Sequence, residues 1–219
     1  MGAQKINIPK LGAFLGVIAA IAAGLLSTVY SATKPAIALN LQKKTNAALE
    51  QVLPTFDNIP GNDSMVFDSE EGWPVKYYLA KKDGQIVGYA GEVITPEGFS
   101  GDVTAMVGLE LDGSVRTVIV TANTETPGLG TAITDRKVQK TIVDIIKGTK
   151  EASGLAPNAY LDWYISKKAG SERWAIVKDG EKINGKTGAT ITSSAICGAV
   201  HAISKTAIDN LEQLSKGGE

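Results

Sequence analysis

The chain has 219 residues, of which 43% are hydrophobic and 21% charged, and its formal net charge is −1. These values fit one ordinary folded domain with a smaller appendage, and the balanced charge argues against the broad basic face of a nucleic-acid-binding protein. The single cysteine, Cys197, excludes an intrachain disulfide and any multi-cysteine metal site made by this chain alone. The single histidine, His201, likewise excludes a metal site rich in histidine.

An uncharged apolar segment, Leu11 to Thr33, lies near the N-terminus. Its 23 residues suffice for a helix to cross a hydrocarbon core of about 30 Å. A cleavable signal peptide is the alternative, but its apolar core normally has only about 7–15 residues, so we expect a retained single-pass anchor. Lys5 and Lys10 precede the segment, and this short basic stretch favours a cytoplasmic N-terminus with the remaining chain on the extracytoplasmic side.

A membrane-proximal helix is predicted to continue from this span to Leu53, because apolar residues recur at roughly helical spacing and Pro54 ends the pattern. The turn-rich segment from Phe56 to Ser64 then marks a boundary. The predicted organisation is residues 1–33 for the N-terminus and membrane helix, 34–62 for the membrane-proximal helix and linker, and 63–219 for the folded domain.

Alternating apolar segments joined by hairpin turns dominate the first half of that domain. Residues 75–80 and 85–94 flank a Lys-Lys-Asp-Gly turn, and residues 103–111 and 114–122 flank Asp112-Gly113. Apolar periodicity then predicts a helix over 137–147, a short strand over 173–180 and a closing helix over 192–214. Antiparallel strands with helices at separate points predict an α+β fold, with a twisted antiparallel sheet and flanking helices.

The stretch GEKINGKTGATITSSA, residues 180–195, contains two overlapping patterns that suggest a phosphate. The first, Gly180 to Thr187, matches the phosphate-binding loop of nucleotide hydrolases, which needs a parallel sheet and a later strand ending in a magnesium-binding aspartate. Only 32 residues follow Thr187 and they predict one helix, so we interpret this match as accidental. The second, Thr187 to Ser194, opens the closing helix, where unpaired amides and the helix dipole favour an anion. Ordinary capping of a helix by threonine and serine explains the same pattern.

Two motifs make the chain similar to a known family. TGATITS, Thr187 to Ser193, resembles the flavinylation motif of the FMN-binding domain family, and ETPGLG, Glu125 to Gly130, resembles a second hallmark of that family. The family includes the G subunit of the Rnf ion-translocating ferredoxin:NAD oxidoreductase and the C subunit of the sodium-translocating NADH:quinone reductase. The resemblance covers essentially the whole chain, and the compact length favours the Rnf member.

The resemblance implies that Thr190 carries FMN through a phosphoester bond, and that the chain relays electrons without a complete active site or a metal of its own. It also implies a flavin transferase that attaches FMN, and assembly with the other membrane subunits of the Rnf complex in a bacterial or archaeal cytoplasmic membrane. The further cofactor-binding positions that we infer from the two motifs are Lys186, Thr187, Gly188, Ala189, Glu125, Thr126, Gly128 and Leu129.

Two positions depart from the family pattern. Asn123 stands where the family often has a histidine two residues before ETPGLG, and Asn184 stands where an aspartate commonly precedes the attachment motif. The role of Glu125 stays open between contact with the flavin and capping of its own loop. A Gly-rich dinucleotide fingerprint is absent from the sequence, which argues against an NADH site on this chain.

Other interpretations remain open. The closest is the quinone-reductase subunit, and a membrane-anchored binding or assembly domain without flavin comes from a different functional class. Cys197 and His201 lie four residues apart on the closing helix and could begin a metal site, but core packing is favoured because two ligands alone make a poor site. Core or interface positions are also expected for the three tryptophans, Trp73, Trp163 and Trp174.

Overall fold

The computed structural model describes residues 8–136, 155–170, 174–176 and 185–217. The chain divides into two compact units, Met1–Lys44 and Thr45–Glu219. The first unit is helical where it is described, and the second contains the sheet and the remaining helices. The mixture of an apolar N-terminal helix, an antiparallel sheet and flanking helices confirms the predicted α+β class.

One continuous helix, α1, spans Ile8–Val52 and joins the predicted membrane span to the predicted membrane-proximal helix. It includes Pro35 and ends just before Pro54, as the sequence indicated. Its most apolar 18-residue window has a mean hydropathy of 2.1 and none of it is buried, so this helix is long and apolar enough to cross a membrane. The hydroxyl of Thr28 donates to the carbonyl oxygen of Gly24 at 2.8 Å, which satisfies a polar group inside the apolar span.

Five strands form one antiparallel meander in which each strand pairs with its neighbour in sequence. The predicted first hairpin is present, and its two-residue turn places Asp83 at φ 52° and Gly84 at φ 77°, the left-handed pair that matches strand twist. The predicted second hairpin is also present. The edge strand β1 is a strand that the sequence analysis missed, because its five residues follow a turn-rich segment. The strands are β1 Ser64–Asp68, β2 Pro74–Lys82, β3 Gln85–Thr95, β4 Val103–Leu109 and β5 Val115–Ala122.

Helices cover both faces of this sheet. Successive residues of a strand point to opposite faces, so each strand contributes side chains to both sides. Tyr77 and Leu79 face a core cluster that includes the closing helix, whereas Tyr78 and Ala80 face a second cluster that includes the end of α1. At Gly108 the backbone of α1 comes so close that an added Cβ would lie 2.1 Å from a carbonyl oxygen. The C-terminal end of α1 is therefore part of the folded domain.

The closing helix is predicted as one element over 192–214, but it begins earlier and is interrupted. Helix α4 spans Thr190–Asp209 and α5 spans Leu211–Lys216, with Asn210 between them. The predicted apolar stripe is confirmed on α4, where its members are buried in the sheet-facing core: Ile196, Val200, Ile203 and Ala207. The earlier start matters for function because it makes Thr190 the first helical residue.

Between β5 and α4, the described residues contain two one-turn helices that were not predicted. Helix α2 spans Thr131–Thr134, directly after ETPGLG, and α3 spans Ala159–Asp162. The helix predicted over 137–147 lies outside the described residues. Of the strand predicted over 173–180, only 174–176 are described, and Ile176 there forms an isolated β-bridge.

Candidate functional site

The two sequence motifs lie far apart in the chain and meet at the N-terminus of α4. The ammonium Nζ of Lys186 donates to the carbonyl oxygen of Gly128 at 2.7 Å. A Cβ added at Gly188 would lie 3.6 Å from Leu129 Cδ2, which is ordinary van der Waals contact. The structure therefore brings the ETPGLG loop and the TGAT turn together, although 58 positions separate the two hydrogen-bonded residues.

The TGAT segment forms a tight turn that leads into α4. The amide N–H of Ala189 donates to the carbonyl oxygen of Lys186 at 2.9 Å, and Gly188 has φ +84°. A positive φ at the third position of such a turn is the type II pattern, which favours glycine. Gly188 thus permits the turn that delivers Thr190 to the first position of the helix.

Thr190 is the first residue of α4 and its side chain is half-buried, while Ala189 before it is buried and Thr187 is exposed. The first amides of a helix have no partner within the helix, and the helix dipole adds partial positive charge at this end. The hydroxyl of Thr190 therefore lies beside N–H groups suited to a phosphate. The nearest atom to a Cβ added at Gly188 would be 3.6 Å away, so this turn is not tightly packed, and the residues fit a phosphate-linked cofactor.

The ETPGLG loop is folded on itself and passes directly into α2. Gly128 has φ +78° and its N–H donates to Thr131 Oγ1 at 2.8 Å. The carbonyl oxygen of Thr126 accepts from the N–H groups of Leu129 and Thr131, at 3.2 and 3.3 Å. The side chains of Thr126 and Leu129 remain exposed at the surface of a loop that these bonds hold in shape.

Glu125 is the buried member of the same motif, with only 5% of its surface exposed. Its Oε1 accepts the backbone N–H of Phe99 at 2.8 Å, and its Oε2 accepts the hydroxyl of Thr192 at 2.8 Å. Its own N–H donates to Oδ1 of Asn123 at 3.1 Å. Glu125 therefore joins three segments of the chain, and Asn123, one of the two departures from the family pattern, shapes the turn that leads into it.

The segments that converge at the start of α4 each carry one exposed apolar side chain. Phe99 is 64% exposed, Leu129 45% and Ile191 52%. Such side chains offer surface on which a planar apolar ring system can pack. Sequence reasoning missed Phe99 because its link to Glu125 spans 26 positions, and the short EGFSG turn around it indicates only a loop.

The cysteine, the histidine and the tryptophans singled out in the sequence pack in the interior of the domain or against it. Cys197 and His201 are buried on α4, and the His201 ring lies 5.6 Å from that of Trp174. Trp174 also packs against the core with Trp73 and Trp163. Among the residues that the structure describes, no group of three or more histidine, cysteine or acidic side chains could hold a metal ion. Asn184 lies outside the described residues.

Comparison with known proteins agrees with the two motifs. Residues 98–205 match the FMN-binding domain, and residues 1–52 match the RnfG N-terminal region. Similar curated proteins are named as the G subunit of an ion-translocating oxidoreductase complex. The chain is 32% identical to the one from Photorhabdus laumondii in an alignment that covers 95% of each chain. It is 34% identical to the one from Haemophilus influenzae (strain PittEE) over 98% of each chain, and 33% identical to one from Vibrio cholerae over 94% of this chain and 91% of the relative. The chain therefore belongs to the family of G subunits of ion-translocating oxidoreductase complexes.

Proposed function

We propose that this chain is an electron-transfer subunit of a membrane-bound ion-translocating ferredoxin:NAD oxidoreductase, and that FMN is attached to Thr190 through a phosphoester bond. The observation that carries the proposal is the position of Thr190 at the first turn of α4, with the ETPGLG loop held against the turn before it. The match of residues 1–52 to the RnfG N-terminal region favours this role over that of the quinone-reductase sister.

The phosphate of a bound FMN would be an anion, and the local structure suits one. The first amides of α4, which have no partner within the helix, would donate hydrogen bonds to it, and glycine at position 188 places no side chain beside them. Lys186 places a positive charge at the same turn, where it already bonds to the ETPGLG loop. Thr190 supplies the hydroxyl oxygen of the ester, and a single attachment through phosphate leaves the flavin ring chemically intact.

The ETPGLG loop and its neighbours would form the environment of the flavin ring. When bound, FMN supplies the oxidation and reduction chemistry that carries electrons. The exposed side chains of Leu129, Ile191 and Phe99 would exclude water from a bound ring, and the hydrogen bond between Gly128 and Thr131 would hold the loop in shape. Side chains in contact with the ring would set its polarity and hence its reduction potential.

The membrane anchor gives covalent attachment a physical purpose. Helix α1 would cross the membrane once, with the folded domain on the extracytoplasmic side, where little free FMN is available to replace a lost cofactor. A covalent bond prevents that loss. A flavin transferase would make the bond, and the other membrane subunits would supply and receive the electrons.

The experiment that tests this proposal is intact mass spectrometry of the full chain after co-expression with a flavin transferase, followed by peptide mapping. We expect an added mass of FMN minus water on the peptide that contains Thr190. Thr190→Val should remove the adduct while keeping the fold, because it deletes only the nucleophilic oxygen. An adduct that survives Thr190→Val and disappears in Thr187→Val would contradict the assignment. A wild-type chain without adduct, beside a control substrate that is modified, would leave a flavin-free anchored domain.

A further inference from the structure

The buried side chains of Glu125 and Thr192 form, with the backbone N–H of Phe99, a hydrogen-bonded group that we name the Glu125 junction. Both carboxylate oxygens are engaged, one by the Phe99 amide and one by the Thr192 hydroxyl, each at 2.8 Å. The junction ties the β3–β4 loop to the first turn of α4. These segments are distant in the chain, so the bonds fix one to the other only in the folded protein.

The junction is packed so tightly that no group larger than hydrogen fits beside it on either flank. A Cβ added at Gly130 would lie 2.6 Å from Glu125 Oε2 and 3.0 Å from Thr192 Oγ1. A Cβ added at Gly98 would lie 2.9 Å from Glu125 Oε1. Real Cβ atoms avoid contacts under about 3 Å, so a flavin atom has no room to reach either oxygen from these sides.

The junction also separates the two threonines of the first turn of α4. Thr192 is 1% exposed and its hydroxyl donates to the carboxylate of Glu125, whereas Thr190, two positions earlier, is half-buried at the helix start. An ionised carboxylate can only accept hydrogen bonds, so the Thr192 hydroxyl must point its proton at Glu125. Of the two threonines in that turn, Thr190 is therefore the one that is partly exposed.

We propose that Glu125 is a positioning residue and not a direct ligand of the flavin. It holds the first turn of α4 through Thr192. This places the Thr190 hydroxyl where its oxygen can attack the FMN-side phosphorus of a flavin dinucleotide: the new O–P bond replaces the pyrophosphate P–O bond, the nucleoside monophosphate leaves and the hydroxyl proton passes to solvent. Glu125 also withdraws the Thr192 hydroxyl from modification. This inference rests on the proposed attachment of FMN to Thr190.

The test compares Thr192→Val with Thr192→Ser and Thr206→Val in the full chain. Thr206 is a buried threonine on the same helix, about four turns or 21 Å beyond Thr192, and makes a side-chain hydrogen bond to Tyr77. We measure the initial rate of flavin transfer at a temperature at which circular dichroism shows each variant folded. Thr192→Val should slow transfer about tenfold, while Thr192→Ser and Thr206→Val should stay within about twofold of wild type.

If Thr192 had only a structural role, Thr206→Val would slow flavin transfer as much as Thr192→Val does, or neither substitution would slow it. Either result overturns the inference. If Thr192→Val does not fold, Thr192→Ala takes its place, because it removes the same hydroxyl without placing a methyl group against the Glu125 carboxylate. That variant should slow transfer at least about threefold, and an unchanged rate would refute the positioning role.

Hydrogen exchange of the flavin-free chain provides a readout that does not depend on the cofactor. Thr192→Val should speed exchange of the Phe99 amide about tenfold without changing amides in the middle of β4. Equal exchange in both chains overturns the junction even if wild type accepts FMN. Conversely, a wild-type chain that takes no FMN but shows this exchange pattern refutes the proposed function and leaves the junction as the anchor of the helix start.

Discussion

Gly130→Ala is the substitution that tests the packing of the site most directly. Gly130 has φ −62° and ψ −40°, a conformation that alanine adopts freely, so backbone strain contributes nothing to its effect. The new methyl group would lie 2.6 Å from Glu125 Oε2 and 2.7 Å from Glu125 Cβ. Overpacking in a well-packed interior costs about 1–3 kcal/mol. Displacing a buried hydrogen bond to a charged group costs a further 1.5–3 kcal/mol or so.

Small shifts of both the methyl group and the carboxylate can relieve part of the clash, so the two costs do not add in full. We therefore expect a total loss of about 2–4 kcal/mol in the free energy of unfolding. For a chain of this size that corresponds to a melting temperature lower by roughly 4–16 °C, measured by differential scanning fluorimetry of the full chain in detergent. Gly61→Ala is the matched control, since no heavy atom lies within 4 Å of its new Cβ. A melting temperature of Gly130→Ala equal to that of the control would refute the close packing at Glu125.

Three further outcomes are expected. Gly108→Ala should cost about 1–3 kcal/mol of stability in the same melting assay, because its Cβ would lie 2.1 Å from a backbone oxygen at the end of α1; no change would mean that α1 does not close this face. Hydrogen bonds from Asn58 and then Lys81 lower the pKa of Asp63 from 3.8, so its stabilising effect is complete above 3.8 and is lost as the pH falls through the lower folded value. Asp63→Asn should therefore destabilise the chain at neutral pH, with a difference that shrinks in acid, and a difference independent of pH would contradict the ion pair. Lys186→Met should lower the melting temperature by only a few degrees, since its bond is exposed, yet reduce the yield of flavin adduct several-fold; an unchanged yield would exclude a role in holding the phosphate.

The sequence was sufficient for features that depend on local pattern. Alternation and Asp-Gly turns predicted β2 to β5 with their hairpins, and an uncharged run predicted the helix that can cross a membrane. The edge strand β1 was missed because five residues beside a turn-rich segment carry too little periodicity. The first helical residue of α4 was placed two positions late, because Thr190 and Thr192 can each cap a helix or begin one.

The candidate site likewise has parts that could be predicted from local sequence and parts that could not. Thr190 and the ETPGLG loop could be inferred because each lies in a compact motif, but the partners of Glu125 could not. Phe99 contributes its backbone N–H, a group that every residue except proline carries, so its side chain gives no signal of the contact. The contact depends instead on the β3–β4 hairpin and the start of α4 reaching the same end of the sheet, which is decided by tertiary packing.

That dependence explains why glycine recurs around the site. Gly98, Gly130 and Gly188 come from three separate segments, and each leaves out a side chain where the backbone of one segment must approach another segment or admit a ligand. Only Gly188 among them needs a left-handed φ. It is also the only one of the three at which an added Cβ would have no neighbour closer than 3.6 Å. The other two are filled by Glu125 and its surroundings. The turn before Thr190 is therefore less tightly packed than the surroundings of the carboxylate, which is the distribution expected if the phosphate is held at the helix start and Glu125 supports it from behind.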